Sequence, residues 1–429
     1  MNSPLNDKIA IIGGGVAGLT AGYLLHGKYD ITLFEKSGKL GGNAFTLTTP
    51  GGQDADIATA AFGRFSYKNL FRLFKKLNIE TVGPITKNPF GTFGLSLGFY
   101  DLDEKKGMYL TPGMKGLIAQ RFEIFRPDHV ASMLQVMRGL RRARTLFRKG
   151  DLEGLSFEEA LKKIPGLRGN AKVMLLCCMC LLTSMHCDDV LDAPAGFFIE
   201  KLKKYNDVLP PKALFSVRTP KNGTKSYVDA LSAGYRDRII LNADIKTVAR
   251  RNDKVVIMRE GGGETVFNKV VFACNADQAL SLLQEPTPEE IRLLRPWRYT
   301  EGRLVVHTDH ACFPPKALME GFTFLYRKEA RFLETSVSGS IWALPGVSKT
   351  CGLISTQHPN IPIDRDRIVF EKTFRTPLFD FDSCRTIKDL PSLNGIRNTY
   401  YCGSHFGFGL HEDAVTSAID VAKKLGVSF

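Results

Sequence analysis

Two clusters in the 429-residue chain have residue types and spacings that could do chemistry, one near each end. At the front, KIAIIGGGVAGLTAGYLL (8–25) sets Gly13, Gly15 and Gly18 as G-x-G-x-x-G between an apolar strand and a helix. In that context Gly13 permits the tight turn, Gly15 lets a pyrophosphate come close to the backbone, and Gly18 lets the helix lie against the strand. The amides at the helix start, those of Val16 and Ala17 among them, and the positive end of the helix dipole then face the phosphates. A second strand, DITLFEKS (30–37), ends on Glu35 and Lys36, where a carboxylate can accept hydrogen bonds from an adenosine ribose. Strand, loop, helix, strand and acid together specify a dinucleotide site; the competing reading is a glycine-rich turn in an ordinary α/β sheet.

At the rear, YYCGSHFGFGLHEDAVTSAIDVAKKLG (400–426) runs through Gly403 and Ser404 into glycines alternating with Phe406 and Phe408. His411, Glu412 and Asp413 open a helix predicted over 412–425, with acids in its first turn, Lys423 and Lys424 in its last, and Gly426 as the stop. His405, His411 and Glu412 are the titratable side chains this motif would bring near a bound cofactor. His411 or Glu412 is the candidate base for taking a proton during redox chemistry, with an N-terminal helix role as the alternative for Glu412.

These clusters need elements to hold them. After the second strand, KLGGNAFTL (39–47) places Gly41 and Gly42 ahead of Asn43; a glycine pair lets the backbone lie against a bulky cofactor where any Cβ would clash. SYKNLFRLFKKLNI (66–79) is an amphipathic helix with Leu70, Leu73 and Phe74 on one side. Residues from about 85 to 215 carry several helices in no Rossmann order, as a cap over a substrate cavity would. Beyond them a meander of short strands leads to an apolar strand over 269–273, which rejoins the central sheet.

The glycine pair resembles the second glycine motif of FAD enzymes in the flavin amine oxidase and phytoene desaturase superfamily, where Arg commonly stands in place of Asn43. The order IIGGGVAGL, EKSGKLGGNA, GTKSYVDAL, VVFACNADQAL, LVVHTDH, GSHFGFGLHEDAV resembles a family of predicted NAD/FAD-binding proteins within it, over nearly the whole chain. The resemblance implies an α/β fold: a Rossmann-like FAD-binding domain and an amine oxidase-like substrate domain of mixed sheet plus helical cap. The FAD domain is then discontinuous, over 1–84, 216–285 and 390–429, and the substrate domain covers 85–215 and 286–389. It further implies that Val248 meets the adenine through its backbone and that Ser404 stands where many relatives carry Glu for the ribityl chain. The amides near Asp413, Ala414 and Val415 would face the flavin ring, and Phe406 and Phe408 would flank the substrate. Several family members are associated with cyclopropane or methyl-branched fatty acid metabolism, which implies a lipid acyl chain as substrate class.

Composition narrows the setting. With 44% hydrophobic residues and mixed charge the chain reads as globular, and no apolar run reaches the ~18 residues a bilayer span needs. VMLLCCMCLLTSMH (173–186) is short enough to be a buried helix. Residues 2–8 are polar rather than signal-like, and Cys177, Cys178, Cys180 and Cys187 read as small buried hydrophobes, with adjacent thiols on a helix pointing about 100° apart, so free thiols in a cytoplasmic protein are expected, with no metal. The net charge of +14 favours an anionic partner. ASMLQVMRGLRRARTLFRKG (131–150) is a basic amphipathic helix, read either as an anionic membrane contact or as a core-facing helix with a solvated basic side. VHTDH (306–310) has no nucleophile beside its histidines, and EGGGE (260–264) is a hairpin loop.

The expected activity is hydride transfer between FAD and a lipophilic substrate, desaturating or saturating a C–C bond, with the electron acceptor unspecified. Oxidation of an amine C–N bond is the alternative within enzymes, and a flavin-binding accessory subunit of a lipid-modifying enzyme is the alternative outside them. Nucleic-acid binding has no support, because the basic residues are not interleaved with an aromatic platform.

Overall fold

Strand Lys8–Ile12 is apolar on successive residues because both of its faces are covered, the signature of a central parallel strand. It lies in the middle of a five-stranded parallel sheet of order Ile239–Ile240, Asp30–Phe34, Lys8–Ile12, Lys269–Phe272, Thr399–Tyr401. Asp30–Phe34, the next strand in the chain, lies on one side of it, and Lys269–Phe272 and Thr399–Tyr401 lie on the other. The crevice at its carboxyl end is therefore the switch point where such sheets bind ligands, and the Gly13–Gly18 turn sits there. The computed structural model describes residues 7–58, 61–83, 96–110, 125–208, 212, 216–311, 313, 321–329, 331–341, 347 and 351–429.

The two chain ends pack on each other. Helix Val16–Leu25 and the closing helix His411–Lys424 share one apolar cluster, with Leu19, Ala21 and Leu25 beside Val415, Ala418 and Ala422, all fully buried or nearly so. The Tyr29 hydroxyl donates to the Leu425 carbonyl at 2.6 Å, and Gly426 takes the left-handed φ of +74° that stops the helix. The closing helix begins one residue earlier than the sequence predicts and ends at Lys424.

A seven-stranded sheet forms the second layer, in the order Ile368–Pro377, Tyr299–His307, Ile354–Gln357, Leu333–Ser340, Gly321–Lys328, Ser96–Asp101, Lys106–Leu110. All its pairings are antiparallel except Gly321–Lys328 with Ser96–Asp101. Helices Pro127–Arg148, Asn170–Thr183 and Ala195–Lys204 cover it as a cap, and the Cys177 thiol lies 3.8 Å from the Thr335 hydroxyl on the sheet. Parts of the predicted cap, 84–95 and 111–124, lie outside the described residues. The expected meander is an antiparallel sheet of Ile245–Arg251, Lys254–Arg259 and Glu264–Phe267, turning through the EGGGE loop.

Within VHTDH the strand stops at His307; the Asp309 carboxylate accepts the Ala311 and Asp364 amides, which turns the chain. Among the described residues, no helix is long and apolar enough to cross a membrane, and no three His, Cys, Asp or Glu side chains form a group that could hold a metal ion.

A buried polar network joins the meander to the last strand of the parallel sheet. Arg250 pairs with Glu290 at 2.5 Å, and the Tyr401 hydroxyl donates to the same carboxylate at 2.6 Å. Arg250 and the Tyr401 hydroxyl hold the Glu290 carboxyl below its usual range against the desolvation that would raise it.

Candidate functional site

The front turn is shaped by backbone contact. A Cβ at Gly13, whose φ is +112°, would lie 2.7 Å from the Ala273 carbonyl oxygen, and one at Gly18 would lie 1.9 Å from the Gly13 carbonyl oxygen. Neither position tolerates a side chain. Gly15 differs: nothing lies within 4 Å of its added Cβ, although it opens the helix Val16–Leu25. Its neighbours are packed solid while Gly15 faces open space at a helix N-terminus, the condition for a phosphate to lie on the backbone.

The second glycine pair is joined to the first turn. Gly41 donates its amide to the Gly14 carbonyl at 2.9 Å and forms a parallel bridge with Gly15. A Cβ on Gly42 would stand 3.2 Å from the Gly15 Cα. Both loops are thus bare of side chains where they meet. Asn43 is exposed, and its side-chain amide reaches the Arg375 carbonyl at 3.3 Å.

Glu35 lies beside this turn. One carboxylate oxygen accepts the Gly14 amide at 2.6 Å, and the other accepts the Ser37 amide and hydroxyl, each at 2.8 Å. Lys36 is exposed. The strand running alongside is Ile239–Ile240 and its continuation: Glu35 donates to the Ile240 carbonyl and accepts from the Ala243 amide. Val248 lies farther along, fully buried, with its carbonyl accepting the Gln284 amide.

The closing end is held by side chains from distant elements. Gly403, at the end of the last sheet strand, exchanges hydrogen bonds with the Ser417 hydroxyl. The Ser404 carbonyl accepts the amides of Gly407 and Gly409, folding the Phe406–Phe408 segment into a turn. Asp413 accepts four donors: the Lys204 ammonium and the Tyr205 hydroxyl on one oxygen, each at 2.8 Å, and the Phe408 and Leu410 amides on the other. The carboxylate approaches so closely that a Cβ on Gly407 would lie 2.4 Å from it. Lys201, 2% exposed, donates to the Phe408 carbonyl at 2.8 Å.

The predicted site residues separate by role. Glu412 is buried and its two oxygens accept the Asn69 and Leu70 amides, each at 2.9 Å, capping the helix Lys68–Lys76 from across the fold. His411 lies between the rings of Phe62 and Tyr227, and its Nε2 has no hydrogen-bond partner. At the helix start, the Asp413 and Ala414 amides turn back on the Leu410 carbonyl. The first-turn donors left over are those of His411 and Glu412, upstream of the 413–415 amides the sequence singled out.

Phe406 packs on His405 at 5.0 Å between ring centroids, and Phe408 on Phe197 at 5.5 Å. Phe197 stacks on Phe379 at 4.3 Å, and Trp297 packs on both Phe379 and His405. Burial sets the charge state around these rings. It lowers His405 to about 3 and His411 to about 4, and it lowers the Lys201 ammonium to about 7. It raises the Glu412 carboxyl, which its two amide donors partly offset.

Sequence reasoning missed Lys201, Lys204, Tyr205 and Asn69. Lys201, Lys204 and Asn69 occupy ordinary amphipathic helices and Tyr205 follows the end of one, and only tertiary contact gives them a task. Asp56 is a buried joint: it accepts the Thr46 hydroxyl and the Thr224 amide and hydroxyl.

Comparison with known proteins agrees with this geometry. Residues 16–347 match the family described as flavin containing amine oxidoreductase. The fold is similar to that of a CLA-producing fatty acid isomerase from P. acnes (TM-score 0.68, 18% identity, 99% of this chain and 100% of that one). It is also similar to a putrescine oxidase triple mutant (TM-score 0.64, 13% identity, 98% of each chain). A third likeness is to cyclohexylamine oxidase from Brevibacterium oxydans IH-35A (TM-score 0.65, 11% identity, 98% of this chain and 99% of that one). The search among curated proteins finds no match by sequence. FAD is the cofactor the family implies, and the bare backbone at Gly15, Gly41 and Gly42 fits it. With its two glycine turns joined at the switch point and three quarters of its length matched, the chain belongs to the flavin containing amine oxidoreductase family.

Proposed function

We propose that this FAD-dependent oxidoreductase moves a hydride between its flavin and a lipophilic substrate, desaturating or saturating a C–C bond of a fatty acyl chain. One observation carries the reading: where the closing turn meets the cap, the surroundings are aromatic and carry little free charge. Phe197, Phe379, Phe406, Phe408 and Trp297 supply rings. His405 and His411 are neutral at pH 7, and Glu412 and Asp413 already accept hydrogen bonds on every carboxylate oxygen. Such a lining suits an acyl chain, whose transfer from water is favourable, better than a hydrated ammonium ion. The similar fatty acid isomerase fold supports the same substrate class.

Bound FAD supplies the hydride acceptor or donor. Gly13, Gly15, Val16, Ala17, Gly18, Glu35, Lys36, Gly41, Gly42 and Asn43 line its nucleotide half in this proposal, with Val248 at the adenine edge. Gly403, Ser404, Ala414 and Val415 close over its ring half. Phe406 and Phe408 flank the substrate. His411, neutral and with a free Nε2, takes the proton from the carbon next to the one losing hydride, and Glu412 fixes the helix start that carries it.

Amine oxidation is the second reading, favoured by Phe406 and Phe408, since aromatic faces attract ammonium ions. The test is anaerobic reduction of FAD-loaded protein by saturated and unsaturated fatty acids and by putrescine and cyclohexylamine, followed by oxygen and product analysis. Flavin bleaching by a fatty acid, with a product altered by a double bond, is expected. Bleaching by amines alone, with peroxide release, replaces the first reading with the second.

A further inference from the structure

The helix Pro127–Arg148 has one face settled by packing. Ser132, Gly139 and Ala143 are buried. A Cβ on Gly139 would stand 3.2 Å from Leu167, and Phe147 sits so close to Gly196 that a Cβ there would lie 3.1 Å away. Small residues on both partners seat the helix tightly on the cap and leave no freedom to rotate.

The opposite face is a second stripe. Val130, Leu134, Met137, Arg141, Arg144 and Arg148 follow one another at steps of three and four, so they share one side of the helix. All six are exposed, Leu134 by 44% and Met137 by 53%, and Phe125, just before the helix, by 65%. The stripe is apolar in its first half and cationic in its second, with exposed Arg138 and Arg142 alongside. Among the described residues none of these five arginines joins an ion pair; Asp128, the acid within this helix, pairs with Arg126. Four adjoining exposed apolar side chains form a patch rather than scattered surface residues. A chain of net charge +14 repels a second copy of itself, so charge complementarity selects an anionic partner.

We propose that this face docks on the surface of an anionic lipid bilayer. Phe125, Val130, Leu134 and Met137 enter the boundary between headgroups and acyl chains, and Arg141, Arg144 and Arg148 hold the phosphates beside it. Apolar insertion and a basic cluster together provide the two signals that stable peripheral binding needs. The docked helix meets Gly196 through Phe147, and the next residue, Phe197, packs on Phe408 of the candidate site. Docking therefore puts the cap side of that site next to the lipid. The proposal does not depend on which substrate is used, because vesicle binding is measured without turnover.

The experiment is co-sedimentation of the FAD-loaded full chain with phosphatidylcholine vesicles and with vesicles containing about 30% phosphatidylglycerol, at about 0.1 M salt. Wild type is expected to bind the anionic vesicles at least about tenfold more tightly. The triple variant Arg141→Gln, Arg144→Gln, Arg148→Gln should lose about 100-fold in partition. Leu134→Gln with Met137→Gln should weaken binding about tenfold, and both variants should melt at the wild-type temperature. Equal binding to both vesicle types, no binding by folded wild type, or wild-type binding by the arginine variant overturns the proposal. A dimer in solution that Leu134→Gln with Met137→Gln dissolves also overturns it, by assigning the face to a second copy.

Discussion

The two ends of the candidate cofactor cleft are built by opposite means. At the front, Gly13 and Gly18 fit because backbone stands where a side chain would be, and the contacts come from residues close in sequence or in the adjoining strand. At the closing end, the turn from Gly403 to Leu410 has local hydrogen bonds of its own but is anchored by side chains from far along the chain. Asp413 draws Lys204 and Tyr205 from the cap helix, Lys201 reaches the Phe408 carbonyl across 207 positions, and Glu412 reaches Asn69 across 343. The front is a steric object, whereas the rear is an electrostatic one. In the proposed placement of FAD, its nucleotide half, chemically constant, takes the rigid cradle and the half facing substrate takes the end assembled from the cap, so a change of cap can change the chemistry without disturbing cofactor binding.

This contrast can be broken most severely at Asp413. Asp413→Ala leaves the Lys204 ammonium, the Tyr205 hydroxyl and two amides without their acceptor, and should cost about 3 to 5 kcal/mol in denaturant unfolding. A loss below about 1 kcal/mol would show that the rear does not rest on this carboxylate. At the front, Gly18→Ala should cost about 3 kcal/mol, because the Gly13 carbonyl must move. Gly15→Ala meets no protein atom, so its melting temperature without FAD should stay near wild type while flavin retention, read from the absorbance ratio at 450 and 280 nm, falls about tenfold or more. Equal effects at Gly15 and Gly18 would remove the distinction between a protein contact and a ligand contact.

The rear should also respond to pH. The folded value of His405 lies near 3, below its ordinary 6.5, so the stability from keeping it neutral is complete above about 6.5 and is lost as pH falls toward 3. His405→Phe should therefore lose about 2 kcal/mol less than wild type between pH 7.5 and 5 in urea unfolding. The difference between the two proteins is the readout, because Asp56 and Glu412, raised by burial, contribute with the opposite sign in both. Parallel profiles would show that His405 is solvated. The smallest effect is expected at Lys201. Its folded value near 7 lies below the ordinary 10.5, so its contribution is complete above about 10.5 and lost as pH falls to about 7. Lys201→Met should be more stable than wild type at pH 7 by about 1 kcal/mol, and that margin should shrink by pH 10.

The front half of this protein was legible because its physics is local. G-x-G-x-x-G after an apolar run, Glu35 at the end of the next strand, and Gly41-Gly42 beyond it constrain backbone within a few residues of themselves, so spacing alone carries the inference. The same holds for the meander, for the buried helix Asn170–Thr183 and for the helix stop at Gly426. His411 and Glu412 were legible as adjacent titratable residues at a helix start, but not as different in kind. Sequence could not show that Glu412 gives both oxygens to the amides of Asn69 and Leu70 while His411 keeps a ring nitrogen free.

Motif spacing by itself determined the dinucleotide-binding turn, since that follows from sterics along the chain, and the order of the motifs, through the family they resemble, pointed to FAD, the α/β fold and a cofactor held between the two termini. Tertiary structure alone decided which carboxylates are engaged, which imidazoles stay neutral, and which face of the arginine-rich helix is left outside. Desolvation and hydrogen-bond satisfaction depend on neighbours hundreds of positions away, and no local pattern encodes a neighbour's distance.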